Sequence, residues 1–154
     1  MTEARSIGEA LKKSLAGPVW HGPAVFEVLE GVTATQAAAR PVENAHTIWE
    51  LITHLAVWAE VTLARTQGRG PEDVPPEEDW PAMPDTTDET AWRALKERLR
   101  RAHDDWYAEL DTIDETKLHR PWKENAATPA VMAYGTVQHN AYHAGQIGLL
   151  KKAL

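Results

Sequence analysis

Long stretches of this chain repeat apolar residues every three or four positions, and this helical period is the strongest constraint on its fold. The clearest case is NAHTIWELITHLAVWAEVTLARTQG, residues 44–68. No segment shows the two-residue alternation of a strand, so the sequence predicts an all-α protein. A second apolar side with Trp49, Val57 and Val61 predicts that this helix packs on two sides, either centrally or against a second subunit. Its main stripe consists of Ile48, Leu51, Ile52, Leu55, Ala59, Thr62 and Leu63.

Three further segments have helical patterns with start or stop signals. The first covers about residues 6–16 and is stopped by Gly17 and Pro18. The last opens with Thr128 as N-cap and Pro129 in the first turn, and it runs nearly to the end of the chain. Asn44 and Thr86 are the predicted N-caps of the two helices between them. The seam of the helix after residue 86 consists of Trp92, Leu95, Leu99, Ala102, Trp106 and Leu110.

Residues 67–86, QGRGPEDVPPEEDWPAMPDT, separate the two middle helices and are too rich in proline, glycine and acid for regular helix. A connection of this length is unusual inside a compact domain. It is expected where two consecutive helices run parallel, because the chain must then travel the length of the assembly between them. The sequence therefore predicts a four-helix bundle with a long crossover loop, formed by residues 1–154 as a single domain.

Composition excludes several classes of function. The chain has no cysteine, so it holds no disulfide, thiolate nucleophile or cysteine metal site. Its net charge of -7 argues against a nucleic-acid-binding surface, which needs clustered positive charge. No apolar run approaches the length of a membrane span or a signal peptide, so we expect a soluble cytoplasmic protein without a membrane partner.

Two histidines lie four residues apart in the last helix, within HNAYHAGQIGLLKK. His139 and His143 are therefore neighbours on one face, in a stripe predicted to face the core. Two buried imidazoles need polar partners, and a divalent metal accepts a lone pair from each. The alternative is a pair of core or surface histidines bonded to neighbours or water. His54 is a candidate third ligand from a facing helix, whereas His46 and His103 are less favourably placed.

The segments IWELITHLAVW and HNAYHAGQIGLLKK together resemble the DinB-like superfamily. HGPAVFEVLEG, PPEEDWP and the start of the Trp92 helix extend the resemblance over nearly the whole chain. It implies an up-up-down-down four-helix bundle, often a homodimer, with His54, His139 and His143 as metal ligands. Proteins of this family include bacillithiol and mycothiol S-transferases, a mycothiol-dependent maleylpyruvate isomerase and many proteins described only as metal-dependent hydrolases.

Three histidine ligands would leave a divalent metal with an open position for water, a substrate or a thiolate. We therefore expect a metal-dependent enzyme acting on a small molecule, either a hydrolase or an S-transferase that uses bacillithiol or mycothiol. Zn, Ni, Fe and Mn all suit the ligands. Gln146 and Glu50, each one turn from a histidine, are the candidate catalytic or supporting residues. The alternatives are a non-catalytic metal-binding protein of stress response or interaction, and a plain helical bundle.

Overall fold

The computed structural model of the protein describes residues 2–154, and all of its regular structure is helical. Within that range there is no strand, as the helical period predicts. The four long helices are the ones that the sequence predicts, and the four short ones lie in the connections between them. The helices are α1 (Glu3–Ala16), α2 (Val25–Val28), α3 (Ala34–Ala38), α4 (Ile48–Thr66), α5 (Pro76–Asp79), α6 (Glu89–Thr112), α7 (Glu115–Leu118) and α8 (Pro129–Lys152).

The helix starts follow local hydrogen bonding, which corrects two predicted N-caps. Thr47, rather than Asn44, caps α4, because its hydroxyl accepts from the backbone of Glu50 while the Glu50 carboxylate accepts from Thr47 N–H. Asn44 instead has a positive φ of 61°, which is incompatible with the extended backbone of an N-cap. Asp88, rather than Thr86, caps α6. Thr128 caps α8 as predicted, with Pro129 in the first turn.

The four long helices pack side by side, α1 and α4 each contacting both α6 and α8. Helices α4 and α6 run parallel, because Trp49 lies against Trp92 near their starts and Gln67 bonds Glu109 near their ends. Helix α1 is antiparallel to α6, with Arg5 paired to the late-helix residue Asp111. Residues 67–88 therefore connect the end of α4 to the start of a helix that runs parallel to it.

The expected up-up-down-down order is wrong, and the observed order is up-down-down-up. Helix α8 runs parallel to α1, since Ala4 and Ala130 share one core cluster and Ser14 bonds Asn140 further along. The connection from α1 to α4 carries α2 and α3 and remains at one end, where α2 packs on the last turns of α8. Helix α4 therefore starts where α1 ends and must run back.

The core consists of two apolar clusters separated by a polar layer. One cluster includes the starts of α4 and α6 and the end of α8, and the other includes their opposite ends. All the predicted seam residues of α4 and α6 are buried. Most of the buried polar side chains lie between the clusters, at mid-height, and only Thr47 and Thr66 lie at the two ends of α4. Those of the middle layer are Ser14, His54, Thr62, His103, Thr136, Asn140 and His143.

The second apolar side of α4 is covered in part by the chain itself. Trp49 is only 3% exposed, and its ring lies 5.2 Å from that of Trp92. The short helices α3 and α5 also contact α4. Val57 and Val61 on the same side remain partly exposed, so packing within the chain accounts for Trp49 but not for the whole of this side. No helix within residues 2–154 is long and apolar enough to cross a membrane.

Candidate metal centre

Three imidazoles converge in the polar layer between α4 and α8. His139 and His143 project from successive turns of α8, and His54 faces them from the antiparallel helix α4. The Nε2 atom of His139 lies 2.9 Å from Nε2 of His54 and 2.9 Å from Nε2 of His143. His54 and His143 are buried, and His139 is partly exposed. The structure therefore brings together the three histidines that the sequence singled out.

Two of the three rings are oriented by bonds on their far side. Nδ1 of His54 lies 2.9 Å from the carbonyl oxygen of Asp79 and 3.0 Å from its carboxylate. Nδ1 of His143 lies 2.6 Å from the amide oxygen of Gln146. An oxygen acceptor at Nδ1 holds the proton on that nitrogen, so the lone pair of each ring is at Nε2 and points into the site.

The three Nε2 atoms have too few hydrogens to bond one another, and a bound cation would remove the resulting repulsion between their lone pairs. With His54 and His143 protonated at Nδ1, neither Nε2 carries a hydrogen when the ring is neutral. His139 can supply one proton at its own Nε2, which satisfies only one of its two close neighbours. In at least one of the two contacts, two Nε2 atoms 2.9 Å apart therefore face each other with lone pairs and no hydrogen between them. Three neutral nitrogens directed at one point are a donor set that suits a divalent transition metal.

The electrostatics keep all three rings neutral. Burial lowers the pKa of His139 to about 3, helped by repulsion from His143 and His54. Burial likewise lowers the pKa of His54, although the bonds to Asp79 partly oppose it. The pKa of His143 is lowered for the same reason, against the effect of Gln146. Near neutral pH these imidazoles are therefore free to act as ligands without first losing a proton.

The crossover loop is fixed over the site by a stack of three rings. The indole of Trp80 lies between His46 and His54, with ring centroids 3.6 Å and 3.9 Å away and nearly parallel planes. Trp58 adds a bond of 2.6 Å from its indole N–H to the carboxylate of Asp79. These contacts hold Asp79 against His54, and they explain why a tryptophan lies in an otherwise polar loop.

The candidates Glu50 and His103 make contacts that stabilise the fold and do not reach the three histidines. The Glu50 carboxylate caps α4 and accepts two bonds from Arg40, and these bonds hold its pKa below the usual value despite partial burial. It is not among the side chains that converge with the three histidines. His103 is buried, and Asn140 donates to its Nε2 and to the hydroxyl of Ser14. Of the two supporting candidates, only Gln146 contacts a histidine of the site.

Sequence reasoning missed Asp79. Its signal was its position directly before Trp80 in the PPEEDWP segment, but it lies 25 residues from His54 along the chain. Only a loop that crosses the middle of the assembly brings the two together. A carboxylate on the outer nitrogen of a metal-binding histidine raises the basicity of that ligand, so Asp79 would support His54 in any metal centre formed by the three histidines.

Replacing Gln146 with alanine is expected to weaken metal binding about 10- to 100-fold, because the His143 ring loses the acceptor that fixes its orientation and proton. Competition with a chromophoric chelator measures the effect. The matched control is Gln138→Ala, an exposed position on the same helix, which should leave the affinity unchanged. Equal affinities for the two variants would contradict a supporting role for Gln146.

The chain is similar to known proteins in both its sequence and its fold. A sequence model of the DinB superfamily matches residues 20–147. The fold is similar to the crystal structure of a conserved protein from Enterococcus faecalis, with a TM-score of 0.74 and 17% identity. That similarity covers 99% of this chain and 97% of the other, and at this identity it concerns the fold alone. No curated protein is significantly similar in sequence.

Proposed function

The chain belongs to the DinB superfamily, and from this membership we propose that it is a metal-dependent enzyme with His54, His139 and His143 as its ligands. The observation that carries the proposal is the convergence of three Nε2 atoms whose rings are neutral. The proposal includes a DinB-like four-helix bundle, formed by the four long helices as a single domain.

An open coordination position is the basis for proposing catalysis. Structural sites for zinc usually have four protein ligands, whereas catalytic sites have three and bind water or substrate at the fourth. Within residues 2–154, no other histidine or acidic side chain joins the group of three. A divalent metal here would lower the pKa of bound water or keep a bound thiol ionised. Zn, Ni, Fe and Mn all suit this ligand set.

Two reactions are consistent with such a centre, and one experiment separates them. In hydrolysis the reacting water would bind at the open position, and in S-transfer the thiolate of bacillithiol or mycothiol would bind there. The purified protein, loaded in turn with Zn, Ni, Fe and Mn, is assayed on ester and amide panels and on electrophiles supplied with each thiol. We expect metal-dependent turnover on one panel. Activity that survives removal of the metal, or no turnover on any panel, would contradict the proposal.

We also propose a homodimer formed through α8 rather than through α4. Tyr142 and Leu149 are 65% and 71% exposed, and their spacing of seven residues places them on one face of the helix. Exposed apolar faces of this kind are typical of protein interfaces. Light scattering at micromolar concentration should give twice the chain mass of 17.1 kDa, and Tyr142→Glu with Leu149→Glu should give the chain mass. A wild-type monomer would contradict this prediction.

A further inference from the structure

A groove runs from the metal centre along α4 and α8 toward the end of α4. Its volume is about 410 Å³, and His139 lies in its wall. The groove is mostly apolar, with Trp58, Val131 and Met132 among its lining residues. Gly135 contributes no side chain, and a methyl group built there would meet no other atom within 4 Å. The groove therefore has room for a small apolar molecule beside the three histidines.

Arg65 is the one permanently charged side chain that lines this groove within the described part of the chain. Its Nε and Nη2 atoms donate to the carbonyls of Pro71 and Glu72, each at 2.9 Å. Its guanidinium lies between two indoles, 5.7 Å from the ring of Trp58 and 5.8 Å from that of Trp122. The two hydrogen-bond acceptors of the guanidinium are neutral backbone carbonyls. They hold the positive charge of Arg65 in place without neutralising it.

Arg65 and the three histidines lie at opposite ends of the groove, so a ligand that contacts both the guanidinium and the metal centre must extend along it. Along α4, His54 precedes Trp58 by four residues and Arg65 follows it by seven, so the histidines and the guanidinium approach Trp58 from opposite directions along the helix. The Trp58 ring lies 6.4 Å from the ring of His54 and 5.7 Å from the guanidinium. No aspartate or glutamate of residues 2–154 lines the groove, although the chain as a whole is acidic. A local cation in an acid-free apolar groove favours an anion at that end.

We propose that Arg65 is an anion-binding specificity residue, and that the substrates are small acids with an apolar body and a reactive group at the opposite end from a carboxylate. The carboxylate accepts from the free edge of the Arg65 guanidinium, the apolar body lies along Trp58 and Met132, and the reactive group reaches the metal centre. This inference rests on the proposed metal-dependent function, and it adds the class of substrate.

The test uses three hydroxamates that share one metal-binding group. They are benzohydroxamic acid, 4-carboxybenzohydroxamic acid and its neutral isostere 4-carbamoylbenzohydroxamic acid, and calorimetry measures their binding to the zinc-loaded protein. We expect the carboxylate to bind about 10- to 100-fold more tightly than the carboxamide, as for a charge-assisted hydrogen bond. Arg65→Gln should abolish this preference while leaving the affinity for benzohydroxamic acid unchanged. Arg65→Lys should retain part of the preference, because it retains the charge.

Two further variants test whether the preference depends on Arg65 alone and whether the probes bind in the groove. Arg69→Gln removes an exposed arginine outside the groove and should preserve the preference. Gly135→Leu fills the groove from an exposed position on α8 and should weaken both para-substituted probes. Equal binding of the carboxylate and carboxamide to the wild type overturns the anion site but not the metal centre. Uniform weakening of all three probes by Arg65→Gln also overturns it. If none of the probes binds the wild type, the proposed function fails as well.

Discussion

The double substitution His139→Ala with His143→Ala is expected to remove bound metal, from about one equivalent per chain to less than about a tenth of that. Loss of an outer-shell partner alone typically weakens a metal site about 10- to 100-fold, and this variant loses two of the three ligands themselves. Elemental analysis of freshly purified, untagged protein measures the content directly. The same preparation of the wild type identifies the metal and directs the choice of substrates.

Two controls make this result specific. His21→Ala also removes an imidazole, but from an exposed loop position outside the centre, and it should retain the wild-type metal content. Circular dichroism checks that the double variant keeps its helices. If wild type and variant both lack metal after incubation with Zn, Ni, Fe and Mn, the three histidines pack against one another without a metal, and the proposed function is wrong.

Replacing Trp92 with alanine is expected to lower the free energy of unfolding by about 3–5 kcal/mol. The side chain is fully buried at the start of α6, where its indole N–H donates to the carbonyl of Val32 and its ring lies against Trp49. The substitution leaves a cavity and an unpaired buried carbonyl. For a chain of this length, the melting temperature should fall by about 10 °C.

Urea denaturation followed by circular dichroism gives the free energy change, and Trp20→Ala is its matched control. Trp20 is fully exposed at 102%, so the same chemical change should alter stability by less than about 0.5 kcal/mol. A similar loss in both variants would show that the Trp92 contacts contribute little. It would also contradict the assignment of Trp92 to the core cluster that includes the start of α4.

The pair of histidines on α8 and the seam of α6 could be predicted because both depend on residues three or four positions apart. Rise and rotation per residue are fixed for a helix, so His139 and His143 must be neighbours wherever that helix lies. The Thr128 cap followed for the same local reason. Asn44 and Thr86 were wrong as caps because several polar residues precede each helix, and reciprocal bonding at Thr47 and direct bonding at Asp88 decided the register.

The contacts between residues distant in sequence could not be predicted from any local sequence pattern. Asp79 reaches His54 only because the crossover loop passes the middle of α4, where Trp80 stacks on that histidine. Arg65 gave no sequence signal, since a lone arginine near the end of an amphipathic helix usually lies in solvent. Its position depends on the crossover loop, whose Pro71 and Glu72 carbonyls accept from its guanidinium, and on the loop that carries Trp122.

The sequence by itself determined the all-helical class, the four long helices, the parallel pair joined by a long crossover and the three histidines of the centre. These follow from helical period, from the length of one proline-rich loop, from the chemistry of imidazole and, for the complete set of three histidines, from the family resemblance. The tertiary structure decided the up-down-down-up order, the outer partners of the ligands and the groove that ends at Arg65. Whether a connection stays at one end of the assembly or crosses its length depends on which apolar helix faces bury one another. The free energy of that burial comes from contacts between helices, so no single segment contains it.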